Sequence, residues 1–325
     1  MYRDTAPASV RFLPLARIDE IGKSLRRRSD QPGFYILDPN AGFRQTPSTA
    51  VIRMNVYTAK ARNAWPGFEV SVNPKRPKRL PKRSAFDAAG PGLSNDLLAA
   101  LPAADLQRLL PALDVVPLPL KQILHRAGER VDCVYFPGGG FCSELALLES
   151  GEMVEIATIG REGMVGIFAA QDGGSAPSVA MVQAASDLCY RLPAATFRHE
   201  MDQPGIFHEL MMRYMRAHVG LIMQSTACNA IHTVEQRLAR WLLMAHDRID
   251  HDEFPLTQEF VAMMLGVSRP SVTIVAGTLQ KAGLITYHRG RITILNRKKL
   301  ESASCECYRV ATKLLASVTA RSQRR

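Results

Sequence analysis

From Thr257 to Ile285 the chain reads TQEFVAMMLGVSRPSVTIVAGTLQKAGLI, with apolar residues at helical spacing interrupted once, at Gly266-Val267-Ser268. Val261 and Leu265 lie four apart and share a face with Phe260 and Met264. Gly266 suits the left-handed turn that ends a helix. Ser268 can cap the next helix, and Pro270 falls in its first turn, where a missing N–H costs nothing. At about 100° per residue, Val272, Val275 and Leu279 face inward together. Pro270, Thr273, Ile274, Gly277 and Lys281 face the other way, with Arg269 and Ser271 flanking the N-terminal end. That outward face is small and polar apart from Ile274 and almost free of acids, the character a helix needs to lie in a DNA major groove. LITYHRGRITIL (Leu284–Leu295) then predicts two alternating strands around His288-Arg289-Gly290, a hairpin carrying Arg289 and Arg291.

Upstream the period changes twice. SNDLLAALPAADLQRLLPAL, from Ser94, offers a cap and apolar positions at helical spacing. Short strands follow at Val115–Leu120, Gln122–His125, Asp132–Phe136, Phe141–Leu148, Met153–Ile159, Met164–Phe168, Val179–Gln183 and Leu188–Leu192, punctuated by glycines. Such spacing predicts a barrel or jelly roll. Pro193–Met201 reads as a short helix. From Pro204 a stripe of Ile206, Phe207, Leu210, Met211, Tyr214, Met215, Val219, Ile222 and Met223 predicts a helix too widely apolar to stand in water. A second copy of the same helix is the economical cover, and packing within the chain is the alternative. His232–Ile249 continues as a further helix.

The ends lack such patterns. Residues 1–92 show no sustained period, and NPKRPKRLPKRSAFDAAGPG (Asn73–Gly92) is dense in Pro, Lys and Arg, so a disordered basic tail is expected, with one short strand conceivable at Val51–Tyr57. Residues 304–325 are expected to be a basic C-terminal tail. The net charge of +11 is unevenly spread: residues 91–256 hold 12 Lys/Arg and 20 Asp/Glu, while residues 257–325 hold 12 and 3. A basic C-terminal end beyond an acidic middle points to a polyanionic partner for that end. No apolar run approaches a membrane span, and the N-terminus lacks a secretory core, so a cytoplasmic protein without a membrane partner is expected. The six cysteines form no C-x-x-C pair. Cys305-x-Cys307 has half the form of a metal site but no second pair in view, and HDRIDHDEF (His246–Phe254) sits where a polar connector is expected, so no metal is assigned. No nucleophile–base motif or phosphate-binding glycine loop is visible, so no catalytic residue and no enzyme is expected.

The run from Leu256 to Ile285 resembles the winged helix-turn-helix of the CRP/FNR family of bacterial transcription factors. Ala262, Gly266, Val272 and Val275 stand where that motif wants small, glycine and apolar residues, and Ser268-Arg269 matches the start of its recognition helix. The resemblance covers residues 94–303, with β-rich region, long helix and winged domain in the family's order. It implies an α+β chain: a jelly-roll-like, cyclic-nucleotide-binding-like β-roll at 93–203, a dimerisation helix at 204–231 and the winged domain at 232–303. It further implies a homodimer on double-stranded DNA with an inverted-repeat operator, and RNA polymerase as a further partner. DNA contacts are expected from Ser268, Arg269, Pro270, Ser271, Thr273, Ile274, Lys281, His288, Arg289 and Arg291. Relatives that read TGTGA-like or TTGAT-like half-sites carry Glu and Arg where this chain has Pro270 and Ile274, so their consensus does not transfer. The family's cyclic-nucleotide binders place a glutamate on the ribose and an arginine on the phosphate, where this chain offers Ile167 and Ser178. Gly166, Ile167, Ser178, Ile222 and Met223 are the expected effector pocket, with no cofactor assigned, cyclic AMP disfavoured and the effector unnamed. The alternatives are a cyclic-nucleotide-responsive regulator, or a winged-helix module that contacts protein and not DNA.

Overall fold

The computed structural model describes residues 35–38, 42–45, 93–171, 174–249 and 251–320. The chain divides into two units, Met1–Met54 and Asn55–Arg325. In the first, strands β1 (Tyr35–Asp38) and β2 (Gly42–Gln45) pair antiparallel, so these eight positions of the expected basic tail are strand. The rest of residues 1–92, including Val51–Tyr57, lies outside the described residues.

The described residues of the second unit begin with two short helices, α1 (Asp96–Ala99) and α2 (Ala103–Leu109), because Pro102 and Pro111 break the helical pattern. The buried Asn95 caps α1 through Leu97 and Leu98, and its Nδ2 donates to the carbonyls of Pro137 and Gly163 at 2.9 Å each. One side chain thereby ties the helix to two loops of the sheets behind it.

Those sheets form the β-roll. One orders as β3 (Asp114–Leu118), β9 (Ser186–Pro193) and β5 (Cys133–Pro137). The other orders as β4 (Ile123–His125), β8 (Val179–Ala184), β6 (Phe141–Leu147) and β7 (Met153–Ile159). Every pairing is antiparallel. Met164–Phe168 is not the expected strand: Val165 makes a single bridge to Tyr135, and Gly166, at φ 91°, turns the chain into a 3-10 turn at Ile167–Ala170.

After α3 (Ala194–Asp202) comes the long helix α4 (Ile206–Ile231), with α5 (Val234–His246) beyond a break at His232–Thr233. Thr233 and Gln236 close a reciprocal capping box that starts α5. The winged helix-turn-helix, or reading head, follows as β10 (Glu253–Pro255), α6 (Gln258–Leu265), α7 (Arg269–Lys281), β11 (Ile285–His288) and β12 (Arg291–Ile294), then α8 (Arg297–Ala303). Among the described residues no single helix is long and apolar enough to cross a membrane.

The C-terminal tail expectation is corrected. Residues 307–319 form a helix, α9 (Cys307–Thr319), lying along α4. Its Tyr308, Ala311, Leu314 and Leu315 pack with Leu221 and Met244, and Val318 joins the core built on Phe207, Leu210 and Tyr214. Leu314 comes within 3.3 Å of where a Cβ on Gly220 would stand, so glycine in α4 lets the two helices close. An apolar stripe at three- and four-residue spacing is worth roughly 1.5–3 kcal/mol for each large side chain it buries, which outweighs the surrounding positive charge.

Candidate nucleic-acid interface

The reading head is built on a buried face. Val261, Met264 and Leu265 of α6 and Val272, Ala276 and Leu279 of α7 join Leu238, Trp241 and Leu242 of α5 in one core with Ile285, Ile292 and Ile294 of the hairpin. The helices α6 and α7 are bent by 103° across Gly266–Ser268, within the range of a helix-turn-helix. Gly266 sits at φ 60°, where a side chain would be strained, and a Cβ there would meet Val154 of β7 at 3.3 Å. Arg237 of α5 donates to the Leu265 carbonyl and so satisfies the end of α6.

The opposite face of α7 is open. Pro270, Ile274 and Lys281, which share a face with Gly277, are exposed, Ile274 to 71%. A Cβ at Gly277 would meet nothing within 4 Å. Ser268 spends its hydroxyl on the Ser271 backbone N–H and lies 2.9 Å from the Ser271 hydroxyl, so both serve the helix cap before any ligand. Thr273 donates to Gln258 at 2.9 Å. Arg269 is exposed and held by Glu259 at 2.8 Å, and Arg291 is held by Glu253. These tethers by Glu259, Gln258 and Glu253 were invisible to a reading of α7 alone, because the partners come from α6 and β10.

The hairpin turns through Arg289 and Gly290, both left-handed at φ 48° and 73°, between the paired residues His288 and Arg291. A two-residue turn of this kind favours Asn-Gly, so an arginine there carries a conformational cost. His288, Arg289 and Arg291 are all exposed. Ten sequence-predicted positions thus fall on α7 and the wing tip, with Ser271 half-buried and the other nine exposed.

The reading head is coupled to the β-roll through buried polar groups. The Trp241 indole N–H donates to Glu155 at 2.8 Å, and the Ser143 hydroxyl donates to the same carboxylate. Burial pushes the Glu155 carboxyl up to about 7, against the pull of Ser143, Trp241, Arg240 and Arg248. Arg248 also pairs with Glu162 at 2.5 Å. On the other side of the sheet, His218 of α4 meets the fully buried Glu144 at 2.9 Å. His125, with both ring nitrogens unpartnered, is pushed down by burial, opposed by Glu144.

The expected effector residues are scattered. Ile167 is buried in the core that holds Phe136 and Leu192, and Ser178 is buried with its hydroxyl unpartnered. Gly166 caps the 3-10 turn, Ile222 is half-buried, and Met223 is 68% exposed on α4. None lines the cleft of about 310 Å³ between Arg161, Glu162, Arg248 and α9. His246 of the histidine-rich connector binds Asp252 at 2.8 Å and Arg297 at 2.6 Å. The objection to a metal reading of Cys305-x-Cys307, that no second pair accompanies it, does not survive the fold: Cys228 and His232 stand beside them.

A β-roll is joined by a long helix to a winged helix-turn-helix, a domain of the DNA-binding kind. Residues 236–303 match the Crp-like helix-turn-helix domain. The chain is similar to a structure described as a CRP/FNR-family transcriptional regulator from Eubacterium rectale ATCC 33656, at 19% identity over 65% of this chain and 98% of that one, with TM-score 0.53. It is also similar to FixK2 from Bradyrhizobium japonicum, at 15% identity over 59% and 98% of the two chains, with TM-score 0.51. At these identities the likeness is one of fold. No curated protein sequence matches the chain. Residues 236–303 thus carry a Crp-like helix-turn-helix, and the chain has the fold of the CRP/FNR-family structures it is similar to.

Proposed function

We propose that the chain acts as a homodimer that reads an inverted-repeat operator with α7 in the major groove and the wing on the flanking phosphates. The observation that carries this reading is the acid-free face of Pro270, Ile274, Gly277 and Lys281, held outward by a fully buried opposite face and flanked by Arg269 and Arg289. An exposed isoleucine at the centre of that face suits contact with thymine methyl groups, so readout leans on A·T pairs and on duplex shape. The dimer is supported by α4, where Met212, Val219 and Met223 remain exposed on one face although α9 packs along the helix. Val219 and Met223 are four apart and Met212 lies two turns earlier, a seam that a second copy of the helix fits.

The β-roll senses an effector other than cyclic AMP. A cyclic phosphate carried out of water needs a cation and N–H donors in place of solvent. Ile167 and Ser178, at the two positions the family uses, supply one neutral hydroxyl between them, worth about 1 kcal/mol. RNA polymerase is the expected protein partner on the promoter, from the family likeness.

Binding of a selected duplex by the full chain across a salt series tests the reading. Arg269, Lys281, Arg289 and Arg291 from two chains make eight candidate phosphate contacts, so log K should fall with log salt at a slope of roughly −7. Salt-independent binding, or equal affinity for scrambled duplex, would remove the operator reading and leave a protein-contact role for the wing.

A further inference from the structure

Three cysteines and a histidine from distant parts of the chain meet in one buried pocket. Cys228 and His232 lie four apart at the C-terminal end of α4, and Cys305 and Cys307 lie two apart between α8 and α9. Their four donor atoms all lie within 4.8 Å of one another. The Cys228 and Cys305 sulfurs are 3.5 Å apart, and the Cys307 sulfur is 3.5 Å from His232 Nδ1. A tetrahedral metal with bonds to sulfur of about 2.3 Å sets its sulfur atoms about 3.8 Å apart, so small side-chain rotations complete the site. All three cysteines are buried, and together they form a core cluster of their own.

We propose that Cys228, His232, Cys305 and Cys307 bind one zinc ion in a tetrahedral three-sulfur, one-nitrogen set that pins helix α9 to the end of the long helix. Thiolates with one imidazole favour zinc over the hard cations that seek oxygen, and four protein ligands leave no open position, the mark of a structural site.

The surroundings fit that ion. His232 turns Nδ1 toward Cys307 and Nε2 toward Glu306, whose carboxylate lies at 3.2 Å. A carboxylate on the far nitrogen fixes the tautomer and orients the ring of a metal-binding histidine. Gln224 donates to the Cys307 sulfur at 3.0 Å, a bond that steadies a thiolate. Zinc with three thiolates and a neutral imidazole carries one net negative charge. Arg237 and Arg240, the neighbouring cations on α5, are buried and each leaves its Nε without a partner.

The position gives the ion a role. His232 begins the break between α4 and α5, where the long helix hands over to the reading head. Cys305 follows α8 at the far end of the winged domain. A bond from both to one ion closes the winged domain into a loop anchored on α4, fixing the angle at which α7 is presented.

The test is metal binding by the full chain purified under reducing conditions. Zinc by mass spectrometry should be one per chain. Cobalt exchanged for it should show the visible bands of a tetrahedral ion and a thiolate-to-cobalt charge-transfer band. Cys305→Ser should abolish both bands. Glu306→Gln, which removes no ligand and perturbs only an exposed side chain, should weaken zinc by roughly 10–100-fold against a chromophoric chelator. A reduced chain that takes up neither zinc nor cobalt would overturn the proposal. So would cobalt bands that persist unchanged in Cys305→Ser, or zinc affinity that Glu306→Gln leaves untouched.

Discussion

Glu155→Gln should stabilise the protein at neutral pH and leave it unchanged in acid. The carboxyl sits under Trp241, with Ser143 beside it and Arg240 and Arg248 as the facing cations, and burial raises it from 4.5 to about 7. Between those values the folded chain keeps a proton that the unfolded chain has released. The contribution of this carboxyl to stability therefore falls as pH rises from 4.5 to 7, and is flat on either side. At about 1.4 kcal/mol per pH unit, the gap costs about 3 kcal/mol once the group is ionised in both states. Glutamine keeps the shape, accepts from Trp241 and donates to Ser143, but never ionises. Urea unfolding of both proteins from pH 4 to 8 measures the effect, with the Trp241 emission as probe in a Trp65→Phe background. Other titrating groups cancel in the difference between the two proteins. The difference should be near zero at pH 4 and about 3 kcal/mol in favour of the variant at pH 8. A difference that does not change with pH, or one that favours the wild type at pH 8, would refute the assignment.

Three further outcomes follow from the reading head. Gly277→Ala should raise stability by about 0.5–1 kcal/mol, since glycine inside a helix is costly and the added methyl meets nothing. It should nonetheless weaken operator binding, because the methyl points into the groove; unchanged affinity in a mobility shift would place DNA elsewhere. Arg289→Gly should relieve the left-handed strain at the wing by about 1 kcal/mol, seen as a higher melting temperature. It should also lower the salt slope by about one per chain, and an unchanged slope would take the wing off the phosphates. Glu259→Gln releases Arg269 and should tighten DNA roughly 1.5- to 5-fold, the worth of an exposed ion pair. Weaker binding in a titration by fluorescence anisotropy would mean that Glu259 positions Arg269 for the duplex.

The reading head was legible because its signals are local. The Ser268 cap, the left-handed Gly266 and Pro270 in the first turn of α7 each act within a few residues, and the structure shows each in that role. The strands of the β-roll were legible for the same reason, since glycines bound them. Helix α9 was missed because its stripe mixes alanines with leucines and is set among Arg309, Lys313 and the basic residues beyond it. Its apolar face makes sense only against Gly220 and Leu221 of α4, which the sequence places far away. The metal-ligand quartet was hidden likewise: each half is a weak pair, and only the return of α9 to the end of α4 joins them. The strand expected at Met164–Phe168 failed because Gly166 takes a positive φ that no apolar pattern announces.

Selection of bound sequences from a random duplex library by the purified full chain tests the central claim most directly. The account predicts an enriched inverted repeat, its half-sites centred about one helical turn apart, roughly 10 base pairs, with A·T pairs where Ile274 meets the groove. A single unrepeated element would contradict the dimeric reading, and a library that emerges without any enriched sequence would contradict sequence-specific DNA binding itself.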